Sequence, residues 1–289
     1  MWLIETDSFK LVNVTGDPRG LVSRYAILSH TWGSEEVLFE EMADLERARQ
    51  KSGFQKIQMT CELAREEGLR YAWVDSCCID KRSSAELSEA INSMFRWYKE
   101  AVVCFAYLSD LESISDLSKC RWFTRGWTLQ ELIAPGNMVF YDKGWQAVGD
   151  KASLGPRLSE ITGVDLGVLH GRLSLSDVPV GLRMSWAAER RTTRVEDMAY
   201  SLLGIFDVNM PLLYGEGLKS FARLQHAILL ETEDITIFAW RQEEDDRRLF
   251  RGMFAEHPRS FAAARSLLMT SRFYARSPAA TRACGWKLL

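Results

Sequence analysis

RYAILSHTWG, residues 24–33, decides the fold. Aromatic and aliphatic residues run unbroken from Tyr25 to Leu28, and the run stops abruptly at Ser29 and His30. An apolar run this short, rich in bulky residues, fits a strand buried on both faces. Two later segments repeat it in kind: LRYAWVDSCCIDK at 69–81 and AVVCFAYLSD at 101–110. Amphipathic stretches of helical length separate the three. The chain therefore reads β-α-β-α-β, the order of a parallel sheet with helices on both faces. In such sheets ligands bind beyond the carboxyl ends of the strands. Ser29, His30, Trp32, Asp75, Cys77, Cys78 and Asp80 are accordingly expected to gather at one edge.

Working outward, residues 35–50 are acidic and helix-friendly. In 53–68, Ile57, Cys61 and Ala64 mark one helical face and Gly68 suits a C-cap. The second strand is expected to end at Asp75 or Ser76. Ser83 with Glu86 is a capping box, opening a helix whose Leu87, Ile91, Met94 and Phe95 face inward. A third strand is expected at 102–108. CRWFTRGWTLQELIAPGN, 120–137, reads as a helix stopped by Pro135-Gly136, and 138–141 as a fourth strand. Beyond Asp150 the pattern turns helical, with helices expected in 181–190, 195–206 and 215–234 and one further strand at 235–240. The expected division is an α/β core at 1–150, a mainly helical extension of the same domain at 151–241, and a tail or linker at 242–289. The tail opens with a solvated QEEDDRR run, and after Phe261 it carries basic but no acidic residues.

The 289 residues are 47% hydrophobic and 26% charged, as in an ordinary soluble globular protein. A formal net charge of -3 gives no electrostatic case for nucleic acid or anionic membrane. No apolar run approaches a membrane span, and the N-terminus lacks the basic-then-apolar order of a signal peptide. Six cysteines lie mostly inside apolar runs without disulfide-like spacing, which fits a reducing, cytoplasmic compartment.

Three constellations carry chemistry. Trp127 and Glu131 are four apart, on one face of a helix expected to start near the ligand-binding edge. A lone helical glutamate is usually a solvated surface group. Here Leu129, Leu132 and Ile133 bury the helix, and Trp122, Phe123 and Trp127 surround the carboxyl, an environment that places a charge for a purpose. Cys77-Cys78 with His30 invites a thiol-enzyme or metal reading. No Cys-x-x-Cys or His-x-x-x-His spacing supports a metal, and cysteines at strand ends commonly serve as packing. In 191–217, Arg194, Glu196 and Asp197 read as a helix cap with a local ion pair; alternatively Arg191 or Arg194 reaches an anionic ligand. No Gly-rich phosphate loop of either the P-loop or the dinucleotide type occurs.

YAILSHTWG, YAWVDSCCIDK, INSMFRWY, CRWFTRGWTLQELIAP and RTTRVEDMAYSLLGIF…PLLYGEG together resemble the heterokaryon incompatibility (HET) domain of filamentous fungi, over residues 25–232. In large fungal incompatibility proteins such a domain precedes a nucleotide-binding oligomerisation region and WD repeats, so the resemblance implies such a region or a partner protein. HET domains are also similar to TIR domains, which implies a flavodoxin-like α/β core. Ile27–Ser29 resembles the first TIR strand. Trp127–Leu132 resembles the TIR Trp-Cys-x-x-Glu-Leu segment, with Thr128 in place of the cysteine. In NAD+-cleaving TIR domains that glutamate is catalytic, so the resemblance implies Glu131 as the catalytic residue. Ser29, His30, Trp32, Asp75, Asp80, Arg121, Arg125 and Trp127 are the implied substrate-binding residues. Trp32 or Trp127 would stack the nicotinamide and Arg121 or Arg125 would meet the diphosphate. NAD+ is a substrate, with no cofactor or metal required. Nicotinamide leaves as a neutral pyridine, so one carboxylate that steadies the ribosyl cation is enough. The implied outcome is programmed cell death by NAD+ depletion, with self-association on activation. The alternative is a non-catalytic module that self-associates and signals.

Overall fold

The structure, a computed structural model, describes residues 1–14, 24–241 and 252–266. The QEEDDRR run and Cys284 lie outside the described residues. Seven strands form one sheet: β1 (Trp2–Glu5), β2 (Leu11–Asn13), β3 (Tyr25–His30), β4 (Tyr71–Trp73), β5 (Val103–Tyr107), β6 (Met138–Tyr141) and β7 (Ala147–Asp150), in the order β2-β1-β4-β3-β5-β6-β7. The inner four, β4-β3-β5-β6, are parallel. Every residue of β3 is buried, as its unbroken apolar run required.

The sheet as a whole is mixed. β1 pairs antiparallel with β4 and β2, and β7 pairs antiparallel with β6. These edge strands were not read from the sequence. They are three or four residues long, too short for an alternation to register against background. β4 also ends at Trp73, earlier than expected.

Among the parallel strands the first in sequence, β3, has the second, β4, on one side and the third, β5, on the other. This is the flavodoxin-type order, and its switch point lies between β3 and β5. Right-handed crossovers in opposite directions put helices Phe54–Glu66 and Ser84–Glu100 on opposite faces. Ser84–Glu100 opens on the expected cap, with Ser83 Oγ accepting from Glu86 N at 3.3 Å. Two tyrosines tie it and its face to β3: Tyr98 Oη donates to Leu28 O at 2.9 Å, and Tyr25 Oη donates to Trp97 O at 2.6 Å.

Residues 120–137 do not form one helix. A 3-10 turn, Arg121–Thr124, precedes helix Thr128–Ile133, with Arg125 extended between them. Tertiary pairing causes the break: Arg191 N donates to Thr124 O at 2.7 Å and Gly126 N donates to Arg191 O at 2.9 Å. Backbone groups that would have continued a helix are spent on a bridge to the helical half. Likewise 35–50 folds as a 3-10 helix, Phe39–Ala43, and one turn, Leu45–Ala48.

The second half carries the expected helices in shorter pieces: Val180–Ser185, Asp197–Tyr200, Leu203–Phe206 and Lys219–Glu231. The strand expected at 235–240 is instead a 3-10 helix, Ile235–Phe238. Asp234 caps it, accepting from Thr236 N at 2.9 Å and Val180 N at 2.7 Å, so no sheet edge is needed. Residues 252–266 return to this half, where Phe261 and Ala264 are fully buried and Gln225 exchanges two hydrogen bonds with Ala255. The halves interlock closely. Asn92 brackets Met210 with reciprocal side-chain to backbone bonds of 3.1 and 3.2 Å. Gly204 lies so near Phe95 that an added Cβ would stand 2.0 Å from the Phe95 Cβ.

Candidate functional site

The carboxyl edge of β3 organises two layers of polar side chains. Because side chains alternate along a strand, Ser29 and His30 point to opposite faces. Ser29 faces helices Ser84–Glu100 and Thr128–Ile133; His30 faces helix Phe54–Glu66.

The inner layer is sealed. Glu131, on helix Thr128–Ile133, is 6% exposed and accepts from Ser29 Oγ at 2.5 Å. Trp122 Nε1 donates to the same Ser29 oxygen at 2.9 Å. An indole N–H can only donate, so the Ser29 proton is committed to Glu131. Tyr98 is a second polar neighbour, and it favours the charged form of Glu131. Donation runs from Trp122 to Ser29 to Glu131, and Tyr98 donates beside it to Leu28 O. Burial lifts the carboxyl to about 8, with Asp75 adding to the rise and Ser29, Tyr98 and Arg190 opposing it.

Arg190 lies behind this layer, 5% exposed and itself pulled down to about 9 by burial. Its Nη1 donates to Arg125 O at 2.8 Å and Thr128 Oγ1 at 2.9 Å, while Nη2 has no hydrogen-bond partner among the described residues. Among the described residues no salt bridge holds Glu131. Lys151 steadies the helix from its far end, donating to Ile133 O at 3.1 Å and Pro135 O at 2.7 Å.

The outer layer faces solvent. Asp75 accepts from His30 Nε2 at 2.9 Å and from Trp32 Nε1 at 2.8 Å, and its side chain is 28% exposed. Burial works against its charge, but the bonds from His30 and Trp32 and the charge of Lys81 outweigh that, leaving the carboxyl at about 2. Lys56 Nζ lies 3.1 Å from His30 Nδ1 and pairs with Glu36. An ammonium can only donate, so Nδ1 accepts and Nε2 carries the hydrogen toward Asp75. Lys81 Nζ stands 4.2 Å from the Trp32 ring centroid. Arg121 Nη2 donates to Thr31 Oγ1 at 3.0 Å and Trp32 O at 3.2 Å.

Of the residues singled out in the sequence, Ser29, His30, Trp32, Asp75, Arg121 and Glu131 meet at this edge. Three others are directed elsewhere. Asp80 is bound by Arg82 in its own turn, at 2.9 Å. Arg125 donates to Thr193 Oγ1 at 3.2 Å, and Trp127 bonds Asp197 in the helical half. Lys56, Lys81, Tyr98 and Arg190 joined the site unannounced. Only Tyr98 had a signal: it continues the inward face marked by Ile91 and Met94.

The thiol reading finds no support. Cys77 and Cys78 are buried, and burial raises the Cys78 thiol well above its ordinary range. Among the described residues no group of three or more His, Cys, Asp or Glu could hold a metal ion. The 191–217 segment is an internal clamp: Glu196 Oε1 accepts from Gly215 N at 2.8 Å and Gly217 N at 3.0 Å, and Arg194 stacks on Tyr214. No helix among the described residues is long and apolar enough to cross a membrane.

Residues 25–116 match the family model described as Heterokaryon incompatibility protein (HET). The chain is 48% identical over 243 residues to Vegetative incompatibility protein HET-E-1 of Podospora anserina. That match takes in 79% of this chain but 18% of the relative's own length. No solved structure matches the chain.

Proposed function

This chain carries a heterokaryon incompatibility (HET) domain, and we propose that it acts in vegetative incompatibility as a cell-death effector that hydrolyses NAD+ to nicotinamide and ADP-ribose. The observation carrying this reading is the position of Glu131, at the switch point of a flavodoxin-type sheet and with no salt bridge to it among the described residues. In the reaction the ribosyl–nicotinamide bond breaks with its electron pair on the pyridine nitrogen. Water then bonds the ribosyl carbon and releases a proton. Positive charge develops on the ribose, and a carboxylate beside it lowers the barrier.

The closed site holds that carboxyl as a neutral acid. A cation alongside favours ionisation, so the substrate's own pyridinium charge would draw the proton off Glu131. Ser29 and Trp122 stay in place to orient the carboxylate once formed. Arg121, which donates to Trp32 O, is the cation this reading assigns to the diphosphate. Self-association, a cytoplasmic location and a downstream nucleotide-binding or repeat region belong to the same proposal.

One observation favours a second reading. Glu131 is 6% exposed, and a non-catalytic self-association module would keep it so. The test is nicotinamide release from NAD+ by the purified chain, free and artificially clustered, beside its Glu131→Gln variant. Release that the variant loses supports the hydrolase. No release on clustering, with the variant folded and still lethal in cells, gives the case to the module.

A further inference from the structure

Trp32, Asp75 and Lys81 form a corner in which Lys81 has no part in the hydrolytic reading of Glu131. Trp32 is 39% exposed, unusually open for an indole beside a polar site. Its ring is fixed by the bond from Nε1 to Asp75 Oδ2 at 2.8 Å, and Asp75 is fixed in turn by His30 at 2.9 Å. Behind His30 stand Lys56 and Glu36, so the corner rests on a buried relay rather than on mobile surface groups. Over the ring lies a cation from the protein itself: Lys81 Nζ, 4.2 Å from the centroid. The same ammonium donates to Asp75 O at 2.8 Å and Ser76 O at 3.2 Å.

An aromatic face beside an ionised carboxylate is the chemistry that recognises organic cations. We propose that the Trp32–Asp75 corner is a binding subsite for an organic cation, which Lys81 fills and shields in the resting chain. The ligand cation displaces the ammonium from the indole face, and Lys81 retains the Asp75 and Ser76 carbonyls as partners. Identifying that ligand as the pyridinium end of NAD+ rests on the function proposed above; the cation site itself does not. Asp75 raises the pKa of Glu131 from here, so a cation bound in the corner offsets the charge that opposes Glu131 ionisation. Arg121 borders the corner through Trp32 O and brings a like charge, so the corner suits a ligand that also carries an anionic portion.

The test uses two nearly isosteric probes, the 1-methylnicotinamide cation and neutral nicotinamide, titrated calorimetrically into the intact chain. Lys81→Gln keeps donors for the two carbonyls but removes the charge over Trp32. It is expected to bind the cation about tenfold more tightly than the wild type, leaving nicotinamide unchanged. Lys81→Met is the second variant and should behave alike. Trp32→Leu and Asp75→Asn, each placed in the Lys81→Gln background, should abolish the gain. Equal binding of both probes, or no gain in either Lys81 variant with the fold intact by circular dichroism, overturns the subsite. Cation binding without NAD+ cleavage keeps the subsite and removes the hydrolase; NAD+ cleavage with no cation preference does the reverse.

Discussion

Replacing Glu131 by glutamine should stabilise this protein at neutral pH. Glutamine is nearly isosteric and neutral. Its oxygen can accept from Ser29 as the carboxyl does. The wild-type carboxyl must keep a proton that the unfolded chain releases near 4.5, whereas in the fold it titrates at about 8. The fold therefore binds more protons than the unfolded chain between these values, and stability falls as pH rises from 4.5 to 8. At about 1.4 kcal/mol per pH unit, the cost is under about 1 kcal/mol at pH 5, about 3 at pH 7, and levels near about 5 above pH 8. Glu131→Gln removes this dependence. Urea unfolding of both proteins at pH 5, 6, 7 and 8, followed by circular dichroism, should show a gap that widens with pH in favour of the variant. A gap that stays flat, or a wild type more stable than the variant at pH 8, would refute the neutral acid. The same variant should release no nicotinamide, so stability and activity separate at one residue.

Asp75 titrates in the opposite sense. Its carboxyl lies at about 2 against an ordinary 3.8, so its stabilisation is complete above 3.8 and lost as pH falls toward 2; Asp75→Asn should cost about 2 kcal/mol at pH 7 with the difference vanishing near pH 2, read by acid titration of both chains. Lys151→Met removes the donor to the Ile133 and Pro135 carbonyls and should cost about 2 kcal/mol, measured by urea unfolding, because two buried acceptors lose their partner. Gly204→Ala drives a methyl into Phe95 and should cost about 2–3 kcal/mol. Adding Phe95→Ala should recover part of that loss, and strict additivity in the double-mutant cycle would rule out the clash.

The sequence by itself determined the alternation of strands and helices in the first half, because the apolar runs at 25–28 and 102–108 and the helical faces of Ile57 and Ile91 are local patterns. It also placed Ser29, Asp75 and Glu131 at one edge, since the carboxyl ends of parallel strands must lie together. The antiparallel edges were beyond it, because strands as short as Leu11–Asn13 carry no readable period. Nor could it know that Arg191 would take the backbone at 124–126 and split one expected helix into two. The charge on Glu131 was decided furthest from the sequence. Ser29, which donates to it, lies 102 residues away. Local spacing can name a carboxyl, but its protonation is set by burial and by the donors and charges packed around it, and only the assembled fold supplies both.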